Sequence, residues 1–140
     1  MTGADLPDKK IDGIDILSVL KDPQSPSPRK AFCHYFYNGE LHAVRDARWK
    51  LHFPHRYATL DGRPGGQDGA QVRYSKKTTE LELYDLKNDV GETTNVIADH
   101  PDVVDRLKRL ATEMRSELGD ALQKIKGAEV RPAGRLAVSK

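Results

Sequence analysis

The chain has 140 residues, the length of one domain of ordinary size or of a piece of a larger protein. Its 23 basic and 21 acidic residues leave a formal net charge of +2, so composition favours neither a nucleic acid nor a membrane as partner. One cysteine, Cys33, excludes an internal disulfide framework and a cysteine-based zinc site.

Residues 1–30 are predicted to form a connecting segment. Residues 15–21 can form one or two helical turns, which the following Pro23, Pro26 and Pro28 end. The first twenty residues contain no apolar stretch of the signal-peptide kind, and no run approaches the roughly 18 apolar residues of a membrane span. The chain is therefore expected to stay in the cytoplasm if Met1 is its true start.

Residues 31–57 are predicted to form the centre of the fold. Residues 31–37 are rich in aromatic side chains and predict a strand, and Asn38-Gly39 predicts a turn. Residues 40–57 then predict two strands joined by a tight turn at residues 46–48. Period-two alternation places Trp49, Leu51 and Phe53 on one face, where a core can cover them.

The second half changes its pattern twice. Residues 60–79 predict a long glycine-rich loop, and residues 80–86 predict a short strand. From Pro101 the apolar residues recur every three or four positions, which predicts an amphipathic helix that ends near Gly119. The sequence thus predicts an α+β fold, in which a small antiparallel sheet of three or four strands packs against one long C-terminal helix. Residues 121–140 predict a basic, flexible tail.

Histidines offer the most suggestive chemistry. Four of them lie at positions 34, 42, 52 and 55. His52 and His55, with Lys50 and Arg45 nearby, are candidate groups for binding an anionic ligand. The alternative is that they are strand-face residues, solvated or paired with backbone groups. No spacing predicts a metal site, and no catalytic constellation is complete.

Cys33 stands next to His34, but neighbouring strand residues point to opposite faces. A buried thiol is therefore favoured over a nucleophile paired with that histidine.

Several segments, taken in order, resemble the C-terminal region of formylglycine-dependent sulfatases of the arylsulfatase type. Residues 11–17 resemble the Asp-Gly-x-Asp stretch that closes the large domain of that family, and residues 32–37 resemble the aromatic strand that follows. Residues 43–53 resemble its Ala-Val-Arg-x-Gly-x-Trp-Lys-Leu strand pair, with Ala47 in place of glycine. Residues 83–96 resemble its Leu-Tyr-Asp-Leu-x-x-Asp-Pro-x-Glu-x-x-Asn-Leu signature, with Val90 in place of proline.

This resemblance implies a sulfatase-like C-terminal subdomain over residues 31–120, preceded by a segment from the end of a large catalytic domain. It implies that formylglycine, made from a Cys/Ser-x-Pro-x-Arg motif, and a calcium ion belong to that large domain. The stretch Ser25–Arg29 lacks the motif, because Ser27 stands where proline is required. The chain alone is expected to be inactive.

By the same resemblance, the partners are the large catalytic domain and a sulfated small molecule or glycan, with His52, His55, Lys50 and Arg45 as substrate-binding candidates. Export, for instance to a periplasm, is expected if the chain follows its family. The alternative is a self-standing, non-enzymatic module that binds anionic glycans or another polyanion.

Overall fold

A computed structural model describes residues 5, 11 and 13–131. The chain divides into two compact units, Met1–Lys30 and Ala31–Lys140. The first unit contains a short helix, α1 (Leu17–Lys21), followed by a turn in which Ser25 donates a backbone hydrogen bond to Asp22. Within the described ranges, no helix is long and apolar enough to cross a bilayer.

The second unit is built around a four-stranded antiparallel sheet. Its strand order is β1-β2-β3-β6, so three consecutive strands form a meander and a later strand completes the edge. A second antiparallel sheet pairs β4 with β5, and a third pairs the two-residue strands β7 and β8. The strands are β1 (Phe32–Phe36), β2 (Glu40–Arg45), β3 (Trp49–His52), β4 (His55–Thr59), β5 (Ser75–Thr79), β6 (Glu82–Asp85), β7 (Gly119–Asp120) and β8 (Ile125–Lys126).

One main helix, α2 (Pro101–Leu118), follows a 3₁₀ turn at Ile97–Asp99, and a second 3₁₀ turn lies at Ala121–Gln123. Proline at the first position of α2 loses no helical hydrogen bond, because the first N–H groups of a helix have no partner within it. The α+β class, with small antiparallel sheets and one main helix, is confirmed.

The hydrophobic core combines side chains of strands and helix. Trp49, Leu51 and Phe53 are all buried, as the alternation predicted. The core cluster consists of Leu41, Val44, Trp49, Leu51, Phe53, Leu83, Val103, Val104, Leu107 and Ala111.

The tight turn after β2 is held by Asp46, whose side chain accepts backbone hydrogen bonds from Arg48 at 2.8 Å and Trp49 at 2.7 Å. Ala47 is not among the described residues with a positive φ. The substitution of the family's glycine by alanine therefore carries no left-handed strain here.

The prediction of a loop over the whole of residues 60–79 is wrong at its end. Ser75–Thr79 forms β5, which pairs in register with β4. The three middle residues of β5 are exposed polar side chains, so the strand has no apolar alternation for a pattern search to find. Backbone pairing and β-branched threonines account for this strand.

The start of the predicted tail contains short elements. β8 pairs with β7 directly after α2, and Gly119 has a φ of 86°. A Cβ at Gly119 would lie 2.7 Å from the carbonyl oxygen of Ile125, so this close approach requires glycine. Flexibility of the tail stays a prediction, and its residues 132–140 lie outside the described part of the chain.

Candidate functional site

The four-stranded sheet has one face that is polar. Directly opposed residues share a face, and the register pairs His34 with Ala43, Ala43 with His52, and His52 with Glu82. It also pairs Arg45 with Lys50 and Lys50 with Tyr84. We call this surface the polar face; it consists of His34, Arg45, Lys50, His52, Glu82 and Tyr84.

Glu92 joins two of these groups, Lys50 and His52, in a hydrogen-bonded triad. One carboxylate oxygen accepts a hydrogen bond from Lys50 Nζ at 2.7 Å, and the other lies 2.7 Å from His52 Nε2. Glu92 lies in the loop after β6 and has a φ of 54°, a left-handed conformation that is uncommon for glutamate. The loop therefore holds a strained residue where its side chain reaches two strand residues at once.

A stack of imidazole rings continues from His52. The rings of His52 and His55 lie 5.8 Å apart, and those of His55 and His42 lie 3.8 Å apart, each pair within 20° of parallel. A carboxylate terminates each end, because Glu40 lies 2.9 Å from His42 Nε2 and Glu92 pairs with His52. These histidines lie close together in the sequence, but no local pattern predicts the stacking of their rings.

His55 occupies the middle of this stack and is only 8% exposed. Its Nδ1 lies 2.7 Å from the carbonyl oxygen of Phe53, which can only accept, so Nδ1 carries the proton. In the neutral ring Nε2 is then the free acceptor.

His34 and Cys33 lie beside this stack. The Nε2 atom of His34 is buried and has no hydrogen-bond partner among the described residues. Burial raises the pKa of the Cys33 thiol to about 11, so this thiol stays protonated, as favoured by the sequence. A pocket of about 310 Å³ is lined by Phe32, Cys33, His34, Tyr35, Phe36 and His42.

Burial sets the protonation of the histidines. It lowers the pKa of His34, His52 and His55 below the ordinary value of 6.5. The neighbouring Lys50 lowers the pKa of His34 and His52 further, whereas the hydrogen bond from His52 to Glu92 partly opposes the effect on His52. Burial raises the pKa of Glu92, but hydrogen bonds from Lys50 and His52 outweigh burial and leave that pKa lowered. Near neutral pH the site thus combines the neutral imidazoles of His34, His52 and His55 with the ionised carboxylate of Glu92.

We expect this site to make the protein acid-sensitive. Because the pKa values of His34, His52 and His55 are lower in the folded chain than the ordinary 6.5, the unfolded chain binds more protons below that pH. The free energy of unfolding should fall as the pH drops from about 7.5 to about 5.5, as measured by urea denaturation at each pH. Glu92, whose ordinary pKa is 4.5, adds to the loss only at lower pH. His55→Gln should reduce the pH dependence, and a free energy that stays level or rises on acidification would contradict this prediction.

Substituting Glu92 tests the triad directly. In Glu92→Gln the carboxylate that opposes deprotonation of His52 is gone, so the pKa of His52 should fall further, as followed by NMR titration of the ring proton. Glu82→Gln is the matched control, because Glu82 raises the pKa of His52 more weakly than Glu92 does, and its carboxylate accepts a hydrogen bond from Tyr84 instead. An unchanged or raised pKa of His52 in Glu92→Gln would show that the ion pair does not form.

The structure brings all four predicted substrate-binding residues to this region. Arg45, Lys50 and His52 lie on the polar face, and His55 stacks against His52. Arg45 donates one hydrogen bond to the carbonyl oxygen of Asp46 at 3.1 Å and makes no ion pair within the part of the chain that the structure describes. Its charge is therefore available to a ligand, whereas that of Lys50 is neutralised by Glu92. Their role in binding substrate stays a prediction.

Glu92 and His42 are among the site residues that the sequence did not identify as candidates. Glu92 occupies the glutamate position of the signature over residues 83–96. The signature marks this position, but it does not indicate which residues Glu92 contacts. Across the described residues, no group of three or more His, Cys, Asp or Glu side chains could hold a metal ion. The calcium ion implied by the resemblance thus has no candidate ligand set among them.

Comparisons with known proteins agree on one family. A family model described as the C-terminal region of aryl-sulfatase matches residues 27–137. The chain is also similar to a curated protein of Formosa agariphila named "Sulfatase", with 28% identity over 104 residues. The alignment covers 72% of this chain and 17% of that relative, so the chain spans about a sixth of the length of the relative that it matches.

Proposed function

The chain belongs to the family of aryl-sulfatase C-terminal regions, and from this premise we propose that it is the C-terminal subdomain of a sulfuric ester hydrolase. In this role it completes the fold of a large catalytic domain and forms one wall of the substrate pocket. The polar face forms this wall of the substrate pocket.

The two faces of the sheet support this division of roles. On one face Val44, Leu51 and Leu83 share a hydrophobic core cluster with the buried residues of α2, which supports an apolar, structural role for this side. The other face carries cations and imidazoles that are only partly exposed. Half-buried polar groups of this kind suit a contact with a second domain or a polar ligand.

The chemistry of the polar face fits a sulfate ester. The guanidinium of Arg45, which forms no ion pair with a described residue, keeps further donors in a planar fork, a geometry that suits the oxygens of an oxyanion. Lys50 lies opposite Arg45 on the neighbouring strand, with its charge balanced by Glu92, and His52 and His55 add further polar groups to the region. On this proposal these groups bind and orient the sulfate ester, and none of them acts as a nucleophile.

The catalytic residues then belong to the large domain. On this proposal, that domain supplies the formylglycine nucleophile and the calcium ligands, and it is the partner of this chain. The Nε2 atom of His34, buried and without a hydrogen-bond partner among the residues that the structure describes, is one atom that such a partner would satisfy.

A comparison of two polypeptides tests this proposal. The first is the 140-residue chain, and the second is the product of the same reading frame extended toward its N-terminal side. We expect the extension to contain the Cys/Ser-x-Pro-x-Arg motif and to hydrolyse a chromogenic aryl sulfate, and we expect no turnover by the 140-residue chain. Turnover by that chain alone, or a stop codon directly before a genuine start at Met1, would overturn the proposal and favour the self-standing binding module.

A further inference from the structure

The turn between β1 and β2 contains an asparagine followed by a glycine. The whole connection consists of Tyr37, Asn38 and Gly39, and all three are exposed. An asparagine is chemically labile before glycine, because the glycine nitrogen can attack the preceding side-chain amide with no Cβ in its way. Exposure also gives water access to both reacting groups. Whether the fold protects this pair can be judged from the other asparagines of the chain.

The chain contains three asparagines, and the fold protects Asn88. The side-chain nitrogen of Asn88 donates a hydrogen bond to the carboxylate of Asp85 at 2.8 Å. The nitrogen that would attack this amide belongs to Asp89, and its N–H donates to the carbonyl oxygen of Asp85 at 2.8 Å. Cyclisation would therefore have to break both hydrogen bonds.

Asn95 is protected in the same two ways. Its side-chain oxygen accepts hydrogen bonds from the backbone N–H groups of Leu83 and Ile97, each at 3.1 Å. The attacking nitrogen would be that of Val96, and its N–H donates to the carbonyl oxygen of Leu83 at 2.9 Å. Both the amide and the nucleophile are thus held in place at Asn95.

Asn38 lacks both forms of protection. Its side chain makes no hydrogen bond with any residue that the structure describes, and the N–H of Gly39 donates none to those residues either. Gly39 has a φ of 92°, and a Cβ built on it would meet no atom within 4 Å, so this side of the turn faces open space. The folded chain therefore leaves this pair about as reactive as it is in an unfolded peptide.

We propose that Asn38 is a modification site, at which the folded chain spontaneously forms aspartate and isoaspartate. The nitrogen of Gly39 attacks Cγ of Asn38 and loses its proton, and the side-chain nitrogen leaves as ammonia, which closes a succinimide ring. Water then opens either carbonyl group of the ring. One opening gives aspartate, and the other gives isoaspartate, whose main chain runs through the former side chain. The net reaction consumes one water, releases one ammonia and needs no other reactant.

Isoaspartate lengthens the main chain of the turn by one methylene carbon. The turn is short and is also tied to the segment after α2, because the carbonyl oxygen of Gly39 accepts a hydrogen bond from the N–H of Ala121 at 2.9 Å. Either this bond or the pairing of Phe36 with Glu40 must then shift. Glu40 lies 2.9 Å from His42 Nε2, so the change reaches the outer end of the imidazole stack. This consequence concerns the fold and does not depend on the proposed function.

Incubation of the full 140-residue chain in mildly alkaline buffer, with and without guanidinium chloride, tests the proposal. Peptide mass spectrometry follows the exchange of amide for acid at each asparagine, and a protein isoaspartyl methyltransferase with a labelled methyl donor reports isoaspartate. Asn38→Gln is the blocking variant, because glutamine has to close a larger ring, which forms more slowly. Asn88→Gln is the matched control at a protected position.

We expect Asn38 in the folded chain to convert at least about tenfold faster than Asn88 or Asn95, and within about threefold of its own rate in guanidinium chloride. Isoaspartate should accumulate in the parent chain and in Asn88→Gln, but not in Asn38→Gln. The aged parent chain should also unfold at a lower concentration of guanidinium chloride than the fresh chain, whereas aged Asn38→Gln should not.

Two results would overturn the proposal. A folded chain that converts at Asn38 more than about threefold more slowly than the unfolded chain would show that the turn protects the pair. Conversion of Asn88 or Asn95 as fast as that of Asn38 would show that their hydrogen bonds do not distinguish the three sites.

Discussion

Replacing Asp120 by alanine should destabilise the protein by about 3–5 kcal/mol, because it breaks a buried ion pair and leaves a cation without its partner. One oxygen of Asp120 accepts a hydrogen bond from Arg115 Nε at 2.8 Å, and the other accepts the backbone N–H groups of Leu41 and Leu122. Arg115 in turn lies over the ring of Phe53 at 4.3 Å. This single side chain therefore connects the end of α2 to β2 and to the core.

Urea denaturation of Asp120→Ala measures this effect against a matched control. Asp61→Asn removes a carboxylate whose partner, Lys77, is about half exposed, so solvent screens the pair and its loss should change stability little. A double-mutant cycle with Arg115→Met should give a clear coupling energy between Arg115 and Asp120. A loss no larger in Asp120→Ala than in Asp61→Asn would show that the buried pair does not form.

Leu51→Ala should cost about 2–5 kcal/mol, because it leaves a cavity at the centre of the sheet. Leu51 is fully buried and lies between Val44 and Leu83 on the neighbouring strands. Leu51→Met, which nearly conserves volume, should cost less than about 1.5 kcal/mol.

Val90→Ala is the surface control for this measurement, since Val90 is 86% exposed and its truncation should change stability by less than about 0.5 kcal/mol. Chemical denaturation of the three variants gives the comparison. Similar losses for Leu51→Ala and Val90→Ala would place Leu51 outside the core.

Local patterns allowed much of the fold to be predicted. Alternation identified Trp49, Leu51 and Phe53 as core residues, and the three- and four-residue spacing identified α2, because both signals reflect which side of an element is buried. The strand β5 lacked such a signal, since its exposed polar residues are buried on neither face. Its pairing with β4 depends on a partner about twenty residues away, which no local window contains.

The candidate site was predictable as a set of residue types but not as an arrangement. Alternation placed Lys50 and His52 on one face, and the proximity of four histidines in sequence was visible. The contact between Glu92 and those two residues spans 40 to 42 positions and depends on the course of a loop. Asp120 was missed for the same reason, because its connection to Leu41 spans 79 positions.

The most direct test of the account is the KM for an aryl sulfate of the sulfatase polypeptide that contains this chain, measured before and after Arg45→Gln. Arg45 makes a single described hydrogen bond, to the carbonyl oxygen of Asp46, so its substitution leaves the fold intact. If the polar face lines the substrate pocket, KM should rise about tenfold with kcat nearly unchanged, while Arg109→Gln on α2 should change neither constant. An unchanged KM in Arg45→Gln would place the polar face outside the pocket and contradict the account.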